Sequence, residues 1–246
     1  MKSKPEASGR CGVFVTGTDT GVGKTWVSLG LMAALQAQGL SVVGMKPVSA
    51  GCVRTPRGLR NEDAVRLQRQ ASVKHPYERV NPVALEPPVA PHIAAREIGA
   101  RIDFARIERA FNVLVASAEV CVVEGAGGWL VPLGPRKSFA DLAERLALPV
   151  LLVVAIRLGC LNHALLSVES IQRRRLPLAG WVANLTAADT PRAAENIEAL
   201  KARIPAPRLA TVGYAPRPTV THFQRAFGSA AGRPLKLIRP RPVRRD

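Results

Sequence analysis

No apolar stretch in this chain is long enough to cross a bilayer. The longest, Pro149 to Ile156, stops at Arg157, well short of the roughly 20 residues a spanning helix needs. Cysteine is scarce and dispersed: positions 11, 52, 121 and 160 form no CxxC pair and no His/Cys cluster. That spacing excludes a zinc-stapled module and a secreted disulfide scaffold, and it fits free thiols in a reducing cytoplasm. The opening residues, MKSKPEASGR, are polar, and the short apolar stretch after them runs into glycines, which is not the make-up of a signal peptide. No internal repeat is visible. Acidic residues are also few: 18 Asp and Glu stand against 35 Lys and Arg, a net charge of +17.

So basic a chain points first toward nucleic acid. The excess is uneven, however, since residues 201–246 carry 11 basic residues and one acidic one. The end of that stretch, GRPLKLIRPRPVRRD, is Pro/Arg-rich and reads as a solvated, partly disordered extension. Any nucleic-acid contact is then non-specific and confined to this tail, and no membrane partner is expected.

The remaining sequence has the pattern of a buried parallel sheet. Of 246 residues, 47% are apolar, enough to build a sizeable core. Apolar runs lie at Cys11–Thr16, Ser41–Met45, Val120–Val123, Val150–Ile156 and Ala179–Ala183, with a weaker one at Leu209–Val212. Between them come helical faces, marked by Val27, Leu31, Ala34 and Leu35, by Phe104, Ile107, Phe111 and Leu114, and by Leu161, Leu165 and Val168. Strands that are apolar throughout are covered on both sides. The expected fold is therefore α/β: a doubly wound, mostly parallel sheet with helices on both faces, and the glycine-rich segment Gly17–Thr25 after its first strand, ending in GKT, makes it of the P-loop NTPase type. One domain is expected over residues 1–215, followed by the basic tail at 216–246. The loop-rich, proline-bearing region from Pro47 to Gly99 is long enough to suggest a functional role.

The sharpest motif is Gly17-Thr-Asp-Thr-Gly-Val-Gly-Lys24-Thr25, directly after a strand and at the start of a helix. In such a loop the backbone around Thr20, Gly21, Val22 and Gly23 turns its N–H groups toward phosphate oxygens, and the helix dipole favours the negative charge. Lys24 reaches the β- and γ-phosphates of ATP, and the Thr25 hydroxyl ligates Mg2+. Five residues separate Gly17 from Gly23, where the common motif has four. The bland alternative, a glycine-rich turn that binds nothing, does not account for the intact GKT.

Carboxylates are needed nearby. Glu124 ends the run Val120-Cys-Val-Val-Glu and leads into Gly125-Ala-Gly-Gly128, where a metal-holding acid is expected in this architecture. Asp63 is ambiguous, because an Asp there could equally cap a helix. Lys46, between the second strand and Pro47, is equally a surface lysine or a cation facing a transferring phosphoryl group.

Taken together, GTDTGVGKT, KPVSAG, TPRGLRNED, NPVALEPPVAPHIAA, VEGAGGWLVPL, LGCLNHALLS and GWVANL, in this order, resemble the dethiobiotin synthetase family over residues 11–207. The longer phosphate loop is that family's own form. The resemblance implies a cyclo-ligase that takes 7,8-diaminopelargonic acid, CO2 (or bicarbonate) and ATP with Mg2+ and gives dethiobiotin, ADP and phosphate. It implies Lys24 and Lys46 as catalytic cations, and Thr25, Asp63 and Glu124 around Mg2+. Thr20, Lys46, Ser49, Gly127 and Gly128 would lie beside the substrate, and Asn184 would read adenine. Gly159, Cys160, Leu161 and Asn162 would hold the substrate's distal carboxylate across a homodimer interface.

The sequence departs from the family pattern in places. In Ser49-Ala50-Gly51 the hydroxyl stands one residue earlier than in the usual KPVASG. Ala210-Thr-Val-Gly213 replaces a Gly-x-x-Pro segment near the base, and the basic tail has no counterpart. The main alternative is a partitioning-type P-loop ATPase that binds DNA through its basic surface. That class carries an extra lysine five residues before the GKT lysine, and here the position is Asp19.

Overall fold

The computed structural model describes residues 11–228. Six strands form the central sheet: β1 (Gly12–Gly17), β2 (Val42–Met45), β3 (Val120–Glu124), β4 (Val150–Ala155), β5 (Leu178–Asn184) and β6 (Arg208–Val212). Their spatial order is β6-β5-β4-β1-β3-β2, and every neighbouring pair is parallel. These are the six apolar runs of the sequence. From β1 the chain first goes to the edge strand β2, returns to insert β3 between β1 and β2, then crosses to lay down β4, β5 and β6 on the other side. The C-terminal ends of β1 and β3 thus lie beside the point where the winding reverses, where open α/β sheets bind ligands.

Both faces of the sheet are covered. Leu151 and Val153 of β4 belong to a large cluster with Phe14, Leu31, Phe111 and Phe139. Leu152 and Val154, pointing the other way, pack with Trp181, Ala164, Val168 and Leu200. Period-2 alternation between two buried faces is why these strands read as apolar throughout.

The helices are α1 (Lys24–Gln36), α2 (Glu62–Gln70), α3 (Tyr77–Val80), α4 (Pro91–Glu97), α5 (Phe104–Ser117), α6 (Phe139–Leu146), α7 (Cys160–Arg173), α8 (Ala193–Arg203) and α9 (Val220–Gly228). Three of their starts are capped by side chains. Asn61 caps α2 by accepting from the Ala64 N–H at 3.2 Å, Asp103 caps α5 through the Ala105 N–H at 2.8 Å, and Ser138 with Asp141 forms a capping box on α6. By contrast α1 and α7 open on left-handed glycines, Gly23 and Gly159, with no side-chain cap. The first-turn N–H groups of those two helices are therefore left for something outside the helix. Among the described residues no helix is long and apolar enough to cross a membrane.

The region 47–99 is held by short paired segments, Val48–Ser49 with Val83–Ala84 and the hairpin Val53–Thr55/Gly58–Arg60.

One expected boundary changes. The tail was expected from residue 216, yet 220–228 is helical and packed. Phe223 and Phe227 are buried, and Phe223 stacks on Trp26 of α1 with ring centroids 6.0 Å apart. Gly30 of α1 admits the contact, since a Cβ there would collide with Phe223. The two phenylalanines, one turn apart, make an apolar stripe that the neighbouring Pro/Arg composition obscured. Residues 229–246, which hold the rest of the expected tail, lie outside the described residues.

Candidate functional site

A cavity of about 400 Å³ opens over the C-terminal ends of β1 and β3. Its lining brings together the expected Thr20, Gly21, Gly23, Lys24, Thr25 and Lys46. Ser49, Asp63, Glu124 and Gly127 line it as well.

Four side chains are tied to one another at its floor. Lys46 Nζ lies 2.6 Å from Glu124 Oε1, 3.1 Å from Asp63 Oδ2 and 3.2 Å from the Gly125 carbonyl. The Thr25 hydroxyl donates to the same Glu124 oxygen at 2.9 Å. Lys46 is 3% exposed and Glu124 fully buried, so this is a desolvated ion pair rather than a surface contact. Burial alone would lower the Lys46 pKa, but the Glu124 and Asp63 carboxylates outweigh it and hold the ammonium above its ordinary range. Burial likewise works to raise Asp63, and Lys46 together with a Thr25 hydrogen bond more than reverses it, leaving the carboxyl below its ordinary range.

Lys24 has no such carboxylate in hydrogen-bonding contact. Its ammonium donates to the Asp19 carbonyl at 2.8 Å, curling over the loop where phosphate oxygens would sit. Burial, with the Lys46 charge beside it, lowers its pKa from 10.5 to about 8. A triphosphate would offset both effects.

The second oxygen of Glu124, Oε2, is buried without a hydrogen-bond partner among the described residues. An unpaired carboxylate oxygen beside a threonine hydroxyl and a second carboxylate is a hard, all-oxygen donor set, the kind Mg2+ takes together with phosphate oxygens and water. The residues present fit that ion.

Other expected residues stand just outside the lining. Asn184, at the tip of β5, donates from Nδ2 to the Val22 carbonyl at 2.9 Å and packs so closely on Gly23 that a side chain there would collide with it. Gly128 lies against the carbonyls of Gly17 and Thr18. Gly159, Cys160, Leu161 and Asn162, at the start of α7, do not line the cavity of their own chain. The nearest tie is the Arg157–Asp19 ion pair at 2.7 Å, and Leu158 is fully exposed. Ser49 is on the wall, but its hydroxyl donates to Asn81 Oδ1 at 2.8 Å and contacts Cys52 Sγ at 3.1 Å.

Lining residues that the sequence reading did not assign include Trp26, Asn61, Glu62, Arg66 and Ala126. Arg66 sits over the Trp26 ring at 4.8 Å. Its position one turn after Asp63 on an amphipathic helix was the available signal. Asn81 also went unassigned. It bonds both Ser49 and the Lys46 carbonyl, the latter at 2.6 Å, and only the folded chain brings these three together.

Comparisons with known proteins identify the family. A family model described as an AAA domain matches residues 11–219. The ATP-dependent dethiobiotin synthetase BioD of Cellvibrio japonicus is 54% identical over 199 residues, covering 81% of this chain and 87% of that one. Its namesake in Pseudomonas aeruginosa is 52% identical over 200 residues, covering 81% and 88%. Among solved structures, a chain of the MinC:MinD cell division protein complex of Aquifex aeolicus superposes with a TM-score of 0.56 at 14% identity, covering 95% of this chain and 98% of that one. The cell division ATPase MinD of Pyrococcus furiosus gives 0.52 at 16%, covering 91% and 97%. These two likenesses speak for the fold alone. With more than half of the aligned residues identical over four-fifths of its length, the chain belongs to the ATP-dependent dethiobiotin synthetase BioD family.

Proposed function

We propose that this chain is the cyclo-ligase of biotin biosynthesis that converts 7,8-diaminopelargonic acid, CO2 and ATP to dethiobiotin, ADP and phosphate. The observation that supports it most is that two buried lysines, Lys24 and Lys46, line one cavity with Thr25, Asp63 and Glu124. A triphosphate and a carbamate are both anionic, and bringing them into contact needs fixed cations at the meeting point.

In the reaction one substrate amine adds to CO2 and loses a proton, giving a carbamate. A carbamate oxygen attacks the γ-phosphorus and the bond to ADP breaks. The second amine then attacks the carbonyl of the mixed anhydride, phosphate leaves with its bonding electrons, and the ureido ring closes. Carbamate and phosphate oxygens can take up the amine protons, so no histidine is needed as a base. Lys24 exchanges the Asp19 carbonyl for phosphate oxygens. Lys46, kept protonated by its two carboxylates, holds its charge where the carbamate and the γ-phosphate meet. Thr25, Asp63 and Glu124 would hold Mg2+, which neutralises phosphate charge when bound. Thr20 and the amides of Gly21, Val22 and Gly23 face the phosphates, with Gly127 and Gly128 behind the reacting amine. Asn184, bonded to the Val22 carbonyl of the loop, would read the adenine.

The uncapped start of α7 is an anion site that its own cavity does not use. We assign the substrate's distal carboxylate to Gly159–Asn162 of a second copy, in a homodimer joined around the exposed Leu158. Four cysteines free of disulfides among the described residues fit a cytoplasmic enzyme.

The test is phosphate release from Mg-ATP and bicarbonate, with and without the diamine, followed by mass detection of dethiobiotin. Diamine-dependent release with product formed is the expected outcome. Release that ignores the diamine and responds to DNA would overturn the reading in favour of a partitioning-type ATPase.

A further inference from the structure

A second cavity, of about 500 Å³, lies behind the wall of the first. Three separate parts of the chain bound it: the hairpin turn Arg57–Arg60, the segment Tyr77–Leu85, and the stretch from Ile98 into the first turn of α5. Each of the first and last contributes two arginines, Arg57 and Arg60 on one side, Arg101 and Arg106 on the other.

Among the described residues the two carboxylates in the lining, Glu78 and Asp103, are already engaged. Glu78 faces Arg60 at 3.6 Å. Asp103 caps α5 and faces Arg109 at 3.8 Å. Among the described residues Arg57, Arg101 and Arg106 have no ion-pair partner. Four arginines line one concavity, three of them exposed and only Arg60 facing a carboxylate, and a concavity so lined favours an anion. The floor is not merely polar. The Arg60 guanidinium carbon lies over the buried Tyr77 ring at 4.1 Å from its centroid, and Leu59, Val83, Leu85 and Ile98 supply apolar surface. One guanidinium over an aromatic ring, with further arginines in the lining, suits carboxylate and phosphate groups carried on a small organic body.

The cavity is also joined to the first one. The Tyr77 hydroxyl donates to Asn81 Oδ1 at 2.9 Å and accepts from the Asn61 N–H at 2.7 Å. Asn81 accepts from Ser49 and donates to the Lys46 carbonyl. Asn61 caps the helix that carries Asp63. The two cavities therefore share a hydrogen-bonded partition whose far side is the Lys46–Asp63 pair.

We propose that this second cavity binds a small, multiply charged organic anion, distinct from the nucleotide and the diamine, and that its occupancy is felt at the first cavity through the Tyr77–Asn81–Ser49 partition. The arginines are the recognition elements. Tyr77 and Asn81 are positioning residues.

The experiment loads the full chain with saturating Mg-ADP, so that the phosphate loop is filled. It is then titrated calorimetrically with tricarballylate in one arm and glycerol 3-phosphate in the other. Saturable one-site binding of at least one probe is expected, and which one binds separates a carboxylate ligand from a phosphate one. The exposed double variant Arg101→Ser/Arg106→Ser should weaken it about tenfold or more while leaving the KM for ATP unchanged. If neither probe saturates below about 10 mM, or if the double variant binds as tightly as the parent, the site is overturned.

The coupling rests on the proposed function and has its own readout. The bound probe should change the KM for the diamine at least about twofold in the parent and not in the double variant. A flat KM in the parent with the probe bound overturns the coupling. Loss of all turnover without any probe would instead fail the proposed function.

Discussion

Lys46 Nζ and Glu124 Oε1 stand 2.6 Å apart with both side chains withdrawn from water, at the junction of β2, β3 and the phosphate loop. Removing one partner of such a pair costs more than the pair contributes, because the remaining charge is buried alone. Lys46→Ala should cut turnover on the order of 100- to 1,000-fold and lower the melting temperature. Steady-state kinetics and calorimetry on the same preparation check both, and near-normal turnover would remove Lys46 from the reacting centre.

Ser49 has its hydroxyl turned to Asn81 and Cys52, so the early hydroxyl of KPVSAG serves the partition more than the substrate. Ser49→Ala is expected to leave the KM for the diamine within about twofold and to cost about 1 kcal/mol of stability through the lost hydrogen bond. A KM raised well beyond that would make Ser49 a substrate contact, standing in for the family's later serine.

Leu158→Glu should disfavour dimerisation, because the residue is fully exposed beside α7 and a charge there must be desolvated at any interface. Sedimentation should show monomer, with the KM for the diamine raised and ADP affinity retained. A dimeric variant with parental kinetics would place the interface elsewhere.

Phe223→Ala tests whether α9 is part of the domain. Truncating a buried aromatic costs about 3–5 kcal/mol, so a drop of that size in chemical unfolding is expected. A change under about 0.5 kcal/mol would return residues 220–228 to the status of an appendage.

Acid stability should track Asp141. Partial burial alone would raise its carboxyl, but the Ser138 hydrogen bonds and the Arg174 guanidinium outweigh it and hold the group below the usual carboxylate range. A carboxyl depressed by folding stabilises the protein above its unfolded pKa of about 3.9, and that contribution is lost as pH falls through the lower folded value. The melting-temperature gap between the parent and Asp141→Asn should be constant above about pH 5 and close below about pH 4. A gap that does not depend on pH would mean the carboxylate charge contributes nothing.

The six strands were readable because each is buried on both faces, and burial leaves an unbroken apolar run. The phosphate loop was readable because its glycines and GKT are fixed by backbone geometry. The short hairpin at 53–60 was not, since it is largely exposed and its three-residue strands carry no periodicity. α9 was hidden because its apolar stripe sits in a stretch whose composition speaks of a tail. Lys46 illustrates the middle case. As chemistry it was undecided, and only the strand order, which sets β2 beside β3, turns its ammonium to Glu124. Asn81 acquires its surroundings from contacts across distant segments, which no local pattern encodes, whereas Arg66, one turn after Asp63 on the same helix, had a local signal.

Three side chains that would face the nucleotide and substrate already have partners within the chain: Lys24 the Asp19 carbonyl, Asn184 the Val22 carbonyl, Lys46 its two acids. For Lys24 and Asn184, binding is therefore a swap of partners more than a gain of them. A ligand that matches the whole pattern recovers every bond it breaks, whereas one that matches part of it leaves a buried group stranded. Selectivity in this arrangement comes from penalising the incomplete fit, and a poor analogue should fail by more than the sum of the contacts it lacks.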